Sequence, residues 1–389
     1  MATELDLLVL GGGCAGLSLA LRLAEQPGLC QRVTVLESRP AYRHDRSWCF
    51  WRTGPHRYEP LVKRCWQTVA LRSQGRVVQV DCSRTPYQLL EAGDFYRHAV
   101  AATQASPAVQ LQLGVRVVGS PQPVADGWRV ETTAGCLTAR RVIDTRPPMV
   151  PRLGNALLWQ SFLGHEVVCD RRVFNSGQVE LMDFTDEVSG AVAFTYLLPL
   201  TGDRALIETT FFDPRPHTPA DLAQRQQRAV QQLCAGAAHA VVRTESGILP
   251  MGMAAAPAEP GPGHWRVGLM SGAARPATGY AFQRIQRWAD DCSAALRHGC
   301  DPAGHAPDPL LTRFMDRLFL DVLRRNPERG PELFLRLFGR VPTARIVRFL
   351  SDHGTLWDRA AVAAALPTGL FLGQLLRSVP RGMVRTQLT

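Results

Sequence analysis

Lysine is almost missing from this chain of 389 residues: Lys63 stands alone beside 43 arginines. Schiff-base chemistry would therefore have to run through that one amine. Long apolar runs are missing too. The nearest, 360–376, is broken by Pro367, Thr368, Gly369 and Gln374, so nothing reads as a membrane span of about 18–20 apolar residues. The N-terminus has neither a basic n-region nor a small-residue cleavage site, and no secretory signal is expected. The ten cysteines are scattered, with no C-x-x-C pair, and are too few in a long chain for a disulfide scaffold. Reduced thiols in a cytoplasmic protein are expected instead. No spacing suggests a metal site, and no G-x-S-x-G or Cys–His arrangement marks a nucleophile. Repeats and low-complexity tracts are absent.

What is present describes a folded globular chain, 46% hydrophobic and 20% charged, long enough for one large or two medium domains. The formal charge of +10 is uneven: 13 arginines face 6 acidic residues from Leu311 onward. Nucleic acid and an anionic membrane surface both suit such a tail. No nucleic-acid-binding signature accompanies it, which favours the membrane. FMDRLFLDVLRR and ELFLRLFGR set Phe and Leu on one helical face and Arg on another, the pattern of a helix lying on a bilayer or of one packed on a domain with its arginines outward.

The first forty residues carry the strongest local signal. LDLLVL (5–10) is an apolar run suited to a buried parallel strand, followed by GGGCAG with Gly11, Gly13 and Gly16 in G-x-G-x-x-G register. Residues 17–25 continue at helical spacing, and 32–36 form a second apolar strand ending at Glu37, 21 residues after the last glycine. This βαβ unit predicts a dinucleotide site. Gly11 permits the turn, Gly13 lets backbone approach a pyrophosphate, Gly16 packs helix on strand, and Glu37 accepts from a ribose hydroxyl. Gly12, Cys14 and Ala15 complete the loop. The unit does not separate NAD from FAD, although its N-terminal position in a chain of this length leans to FAD. Two distal segments lean the same way. RRVIDTRPP (140–148) is a strand ending at Asp144. HWRVGLMSGAARPATGYAF (264–282) is a strand feeding a small-residue turn, with Gly272, Thr278 and Gly279, before a helix. A helix N-terminus of that kind binds anions, here a flavin's phosphate or its reduced ring.

These motifs together resemble the bacterial lycopene β-cyclases, flavoproteins of carotenoid biosynthesis. The stretches that carry the resemblance are DLLVLGGGCAGLSLALRL, HDRSWCFW (44–51), VIDTRPP (142–148), WQSFLGHEV (159–167), TYLLPLTGDRALIETTFF (195–212), GILPM (247–251), ARPATGYAFQRI (274–285) and FMDRLFLDVL (314–323). They run in family order from residue 5 to about 350. The family's I-E-D-T reads Ile207-Glu208-Thr209-Thr210 here, so one acid is kept and the next replaced.

The resemblance implies an isomerisation. A proton adds to the terminal double bond of a lycopene ψ-end, a neighbouring double bond closes a six-membered ring on the cation, and a second proton leaves. Atoms and electrons balance, so the flavin the family needs in reduced form, with NAD(P)H as its electron source, is not consumed. Glu208 is the candidate acid: a carboxyl in an apolar setting keeps its proton at neutral pH. Glu245, in RTESGILPM, reads as a turn residue. His44, Trp48, Phe50 and Trp51 form an aromatic cluster suited to core packing or to steadying a cation, and His165 to satisfying a backbone bond.

The expected architecture is α/β, a glutathione-reductase-type FAD-binding fold with an antiparallel-sheet substrate domain and C-terminal helices. FAD-binding segments are expected at 1–75, 90–150 and 265–310, the substrate domain at 76–90 and 151–264, and a helical, membrane-facing cover at 311–389. The protein is expected at the inner face of the cell membrane, where its C40 hydrocarbon substrate resides. Two alternatives stay open: a flavin-dependent hydroxylase or prenyl-chain reductase, which usually carries Gly-Asp where this chain has Ser271-Gly272, and a non-catalytic flavin- or carotenoid-binding protein.

Overall fold

The computed structural model describes residues 5–26, 32–147, 156–252 and 261–378. The chain divides into two compact units, each built from three stretches. Residues 1–50, 90–154 and 254–308 form the first, and 51–89, 155–253 and 309–389 the second.

The first unit is organised by a parallel sheet. Strand Leu5–Leu10 lies between Val33–Glu37 and Gly135–Asp144; Val109–Leu113 flanks the former, and the short strand His264–Arg266 pairs with the latter. The runs are apolar throughout because both faces are covered. On one face Leu7, Val9, Val35 and Ile143 meet helix Cys14–Ala24 and the inner side of helix Phe282–Arg297. The two helices are joined by Arg22, which binds Asp290 at 2.6 Å and Gln286 at 3.1 Å. On the other face Leu8, Leu10, Leu36 and Val142 pack with Trp128 and Val130 of strand Gly127–Thr132. That strand belongs to an antiparallel meander, Val117–Val124, Gly127–Thr132 and Gly135–Asp144.

The second unit is built on a seven-stranded sheet. Its order is His239–Met251, Leu158–Cys169, Arg204–Asp213, Val192–Pro199, Gln178–Asp183, Thr68–Ser73 and Arg76–Asp81. All neighbours are antiparallel except Gln178–Asp183 with Thr68–Ser73. Helix Pro219–Leu233, started by a Thr218–Asp221 capping box, covers one face through Leu222, Ala229 and Val230. On the opposite face Phe334, from helix Gly330–Arg340, stacks near Phe184 at 5.9 Å and Phe212 at 6.3 Å. Helices Leu310–Arg325, Thr343–Leu350, Leu356–Ala365 and Thr368–Ser378 complete the unit.

Two expected boundaries move. Residues 51–75 belong to the second unit, because the hairpin of Thr68–Ser73 and Arg76–Asp81 extends its sheet beside Gln178–Asp183. Residues 261–264 join the first unit, because His264 pairs with Val142. The boundary expected at 150/151 lies outside the described residues. The nine described cysteines are free thiols. Among the described residues no single helix is long and apolar enough to cross a membrane; the pair Leu356–Ala365 and Thr368–Arg377 reaches the required length only with a 100° bend between them.

Candidate active site

Two sets of functional side chains emerge, one in each unit. In the first unit the glycine loop leaves the carboxyl end of strand Leu5–Leu10, where ligands gather in open α/β sheets. Gly11 takes a φ of +96°, which a side chain would strain, and Thr145 Oγ1 donates to its carbonyl at 2.9 Å. A Cβ at Gly16 would overlap the carbonyl oxygen of Gly11, so helix and strand meet there with no room for a side chain. Around Gly13 nothing lies within 4 Å of the missing Cβ, and the cradle in front of it is open. Helix Cys14–Ala24 starts there with no side-chain cap and no acidic residue in its first turn. Burial pushes the Cys14 thiol up to about 12, against the smaller pull of a Ser18 hydrogen bond and of the charges of Arg46 and Arg22. The thiol is therefore neutral and places no negative charge beside an incoming anion.

Glu37 is buried at the end of strand Val33–Glu37. Its Oε2 accepts from Gly12 N–H at 2.9 Å and from Arg39 at 3.1 Å; its Oε1 accepts from Arg39 N–H at 2.8 Å and from the Ser38 hydroxyl at 3.2 Å. Burial alone would raise its pKa, but the Arg39 and Gly12 bonds win and hold it below the usual range. Tyr42 donates to Gly12 O at 2.8 Å and stacks on Tyr96 at 4.6 Å, with the Arg39 guanidinium over both rings. Sequence reading missed Arg39, Tyr42 and Tyr96; their clustering depends on helix Ala92–Ala105, some fifty residues downstream.

Asp144 is brought to the same sheet edge, but both its oxygens are taken by Arg146, at 2.8 and 2.7 Å. It anchors that arginine at the end of strand Gly135–Asp144. Gly272 sits after the single turn Leu269–Ser271 with a φ of +101°. Gly279 and Thr278 close the following turn onto the Arg275 carbonyl, at 2.9 and 3.2 Å. Helix Phe282–Arg297 begins three residues later, again with no side-chain cap and no acid in its first turn. His305, unremarked in the sequence, accepts from Gly268 N–H at 2.9 Å; burial lowers its pKa to about 4, so it is the neutral acceptor this bond requires.

The aromatic cluster divides. Trp48 and Phe50 both stack on Phe282, with centroids 5.1 Å apart, and Phe95 meets Trp48 edge-on at 5.3 Å. Trp51 belongs to the second unit, where it is buried against Tyr87 at 4.8 Å. Packing accounts for Phe50 and Trp51.

In the second unit Glu208 lies in the middle of strand Arg204–Asp213, directly opposite Gly164 on one neighbouring strand and Tyr196 on the other. Opposed residues of antiparallel strands share a face. Residues two apart do as well. Glu208 therefore stands on the face of Phe162, Phe194, Tyr196, Thr210 and Phe212, away from helix Pro219–Leu233. It keeps some surface exposure but is densely surrounded by protein. That burial, reinforced by the charge of Glu245 and a hydrogen bond with it, raises its pKa well above the usual carboxylate range. Thr210 Oγ1 donates to Glu208 Oε1 at 3.1 Å and opposes the shift only in part. Glu245 corrects the sequence reading: it is not in a turn but within strand His239–Met251, also opposite Gly164. His165 points to the other face, and burial lowers its pKa, keeping it neutral.

A family model described as "Lycopene cyclase protein" matches residues 6–372. A lycopene beta-cyclase of Pantoea ananas is 24% identical over 393 residues, covering 94% of this chain and 96% of that protein. A lycopene beta-cyclase of Paracoccus sp. (strain N81106 / MBIC 01143) is 30% identical over 239 residues, covering 57% and 60%. Among solved structures, a geranylgeranyl bacteriochlorophyll reductase-like protein from Thermoplasma acidophilum superposes with a TM-score of 0.60 at 13% identity, over 96% of this chain and 99% of that one. The p-nitrophenol 4-monooxygenase of Pseudomonas putida DLL-E4 gives a TM-score of 0.60 at 18% identity, over 97% and 98%. These structural likenesses establish the fold.

Proposed function

Because this chain belongs to the lycopene cyclase family and is an enzyme of cyclisation, we propose that it closes the ψ-ends of lycopene into β-rings, by way of γ-carotene to β-carotene, through acid–base chemistry without net redox change. The observation that carries the reading is Glu208: a carboxyl whose pKa is raised by burial and by the charge of Glu245, on a face of aromatic side chains within the IETT stretch. Protonating an alkene needs an acid that is neutral at working pH and shielded from water, and such a face supplies both. Glu208 gives its proton to the terminal double bond. The rings of Phe162, Phe194, Tyr196 and Phe212 keep water from the cation that results. After ring closure the Glu208 carboxylate takes back the proton that leaves.

FAD fits the glycine loop of the first unit. The open cradle at Gly13, the uncapped start of helix Cys14–Ala24 and the neutral Cys14 suit a pyrophosphate. Gly11, Gly12, Ala15 and Gly16 shape that loop. Glu37 would hold a ribose hydroxyl in place of Ser38, its longest partner at 3.2 Å. Gly272, Thr278 and Gly279 shape the turn ahead of the second uncapped helix. Reduced flavin, with NAD(P)H as its electron source, supplies electron density that favours positive charge in a dry site.

The reading is tested in bacteria that accumulate lycopene, with pigments separated by chromatography. Appearance of γ- or β-carotene is expected, and their ratio reports whether one or both ends react. Unchanged lycopene with folded, flavin-loaded protein, together with steady NAD(P)H consumption, would favour a hydroxylase or reductase.

We place the enzyme at the inner face of the cell membrane. Leu310, Leu311 and Phe314 are exposed on helix Leu310–Arg325 near Arg313 and Arg317, and Leu356, Trp357, Leu372 and Leu376 are exposed on the last two helices. Exposed apolar side chains beside arginine suit an anionic bilayer. The protein should float with anionic liposomes, less so at high salt. Replacing Phe314 and Trp357 with serine should reduce flotation at both salt concentrations, and no flotation of the wild type at either would refute surface binding.

A further inference from the structure

Three strands run side by side at one end of the second unit's sheet, and at one level they carry Glu208, Gly164 and Glu245. The outer two backbones are two strand spacings apart, about 9–10 Å. Any side chain on the middle strand would stand between the carboxyls. Gly164 has none: a Cβ there would lie 3.1 Å from Glu245 Cγ, 3.2 Å from Leu206 Cδ1 and 3.4 Å from Glu208 Cβ. Through this gap the Glu208 and Glu245 side chains approach each other across the strand, so that the charge of Glu245 acts on Glu208.

The surrounding charges explain which carboxyl keeps a proton. Arg243 pairs with Glu245 and donates to Glu166 Oε2 at 2.7 Å; Arg204 donates to Glu166 Oε1 at 2.6 Å. Glu166 is fully buried and Glu245 nearly so. Two guanidiniums neutralise two of the three carboxylates. The third, Glu208, accepts from Thr210 instead, and ionised it would set a second negative charge against Glu245. Burying an uncompensated charge is costly, so the neutral arrangement prevails.

We infer that Glu208 and Glu245 work as one proton-sharing pair, in which Glu245, held as carboxylate by Arg243, is a positioning residue that keeps the proton on Glu208 and orients it. This deepens the cyclase reading and rests on it. In turnover, the proton leaves Glu208 for the alkene, and the two carboxylates, with Arg243 held against Glu245, then carry one net negative charge opposite one carbocation. The proton released on ring completion returns to the pair, and nothing is consumed.

The test is an infrared titration of the protonated-carboxyl stretch in full-length protein, run beside a pH profile of lycopene conversion. Wild type should show a carboxyl band that persists at neutral pH, disappears in Glu208→Gln, and titrates over two steps, as coupled groups do. In Glu245→Gln the repelling charge is gone, and the remaining band should titrate at least about one pH unit lower, with the alkaline limb of activity moving by the same amount. Where that variant does not fold, Gly164→Ala serves, since it leaves every charge in place and parts the carboxyls; it should lower the titration as well. A single-step titration in wild type, or a band unmoved in a folded variant, would overturn the pair. A shifted band without any cyclised product would instead leave the pair standing and remove the cyclase reading.

Discussion

Glu208→Gln is expected to cut lycopene conversion by roughly 10³-fold or more while flavin content stays at the wild-type level. The amide is nearly isosteric with the protonated acid and can take its place beside Thr210 and Glu245, so the face should keep its shape. What it lacks is a transferable proton. The pH dependence has a definite sign. An acid whose folded-state pKa is raised serves below that pKa, so activity should hold from acid pH into the neutral range and fall as pH climbs through the raised value. Stability runs the same way. The contribution of a neutral buried Glu208 is fully present below the unfolded pKa, about 4.3, and is lost as pH rises through the folded value. The glutamine has no such loss. At pH 8 its Tm should equal or exceed that of wild type, measured by thermal melting of purified protein. A variant that is dead because it is unfolded would contradict this account; one that is inactive and at least as stable would support it.

The second large effect separates two glycines three residues apart. Gly16→Ala should destroy the folded flavoprotein. The added methyl would overlap the Gly11 carbonyl, a backbone atom that cannot swing away, and overlaps of this kind cost more than about 4 kcal/mol. Gly13→Ala should fold normally. Its backbone is extended, with φ −79° and ψ −163°, and the new methyl meets nothing within 4 Å. That methyl stands in the cradle, so flavin affinity should fall, by roughly ten- to a hundred-fold if a pyrophosphate must approach the backbone there. Circular dichroism and flavin absorbance on the two variants distinguish the outcomes. Full flavin retention in a folded Gly13→Ala variant would place the dinucleotide elsewhere.

The contrast between what sequence revealed and what it hid follows from distance along the chain. The strand, glycine turn, helix and acid of residues 5–37 are read within one βαβ unit, because every contact that defines them is local. Glu208 was legible only through the likeness of ALIETTFF to a family; nothing in its own strand pattern separates it from a solvent-facing glutamate. Glu245 was misread because a Ser-Gly follows it and suggests a turn. Its position opposite Gly164 depends on the register of strands 80 residues apart, which no local pattern reports. Asp144 had the right place on the sheet edge, but Arg146 claims its carboxylate two residues later. The first domain boundary was drawn too late for a similar reason: the hairpin of residues 68–81 is placed by pairing with strand Gln178–Asp183, more than a hundred residues away.

The threefold interleaving of the two units bears on how the protein is made. A ribosome releases the nucleotide-binding sheet in instalments: strands Leu5–Leu10 and Val33–Glu37 early, Gly135–Asp144 later, and His264–Arg266 only after most of the other unit has emerged. Neither unit can finish before the other is largely synthesised, so domain-by-domain folding during translation is closed to this chain. Until residue 308 has left the exit tunnel, half-built sheets with apolar strands must be kept from one another. Chaperone demand in a heterologous host should therefore rise with translation speed, and slower synthesis should raise the yield of soluble protein.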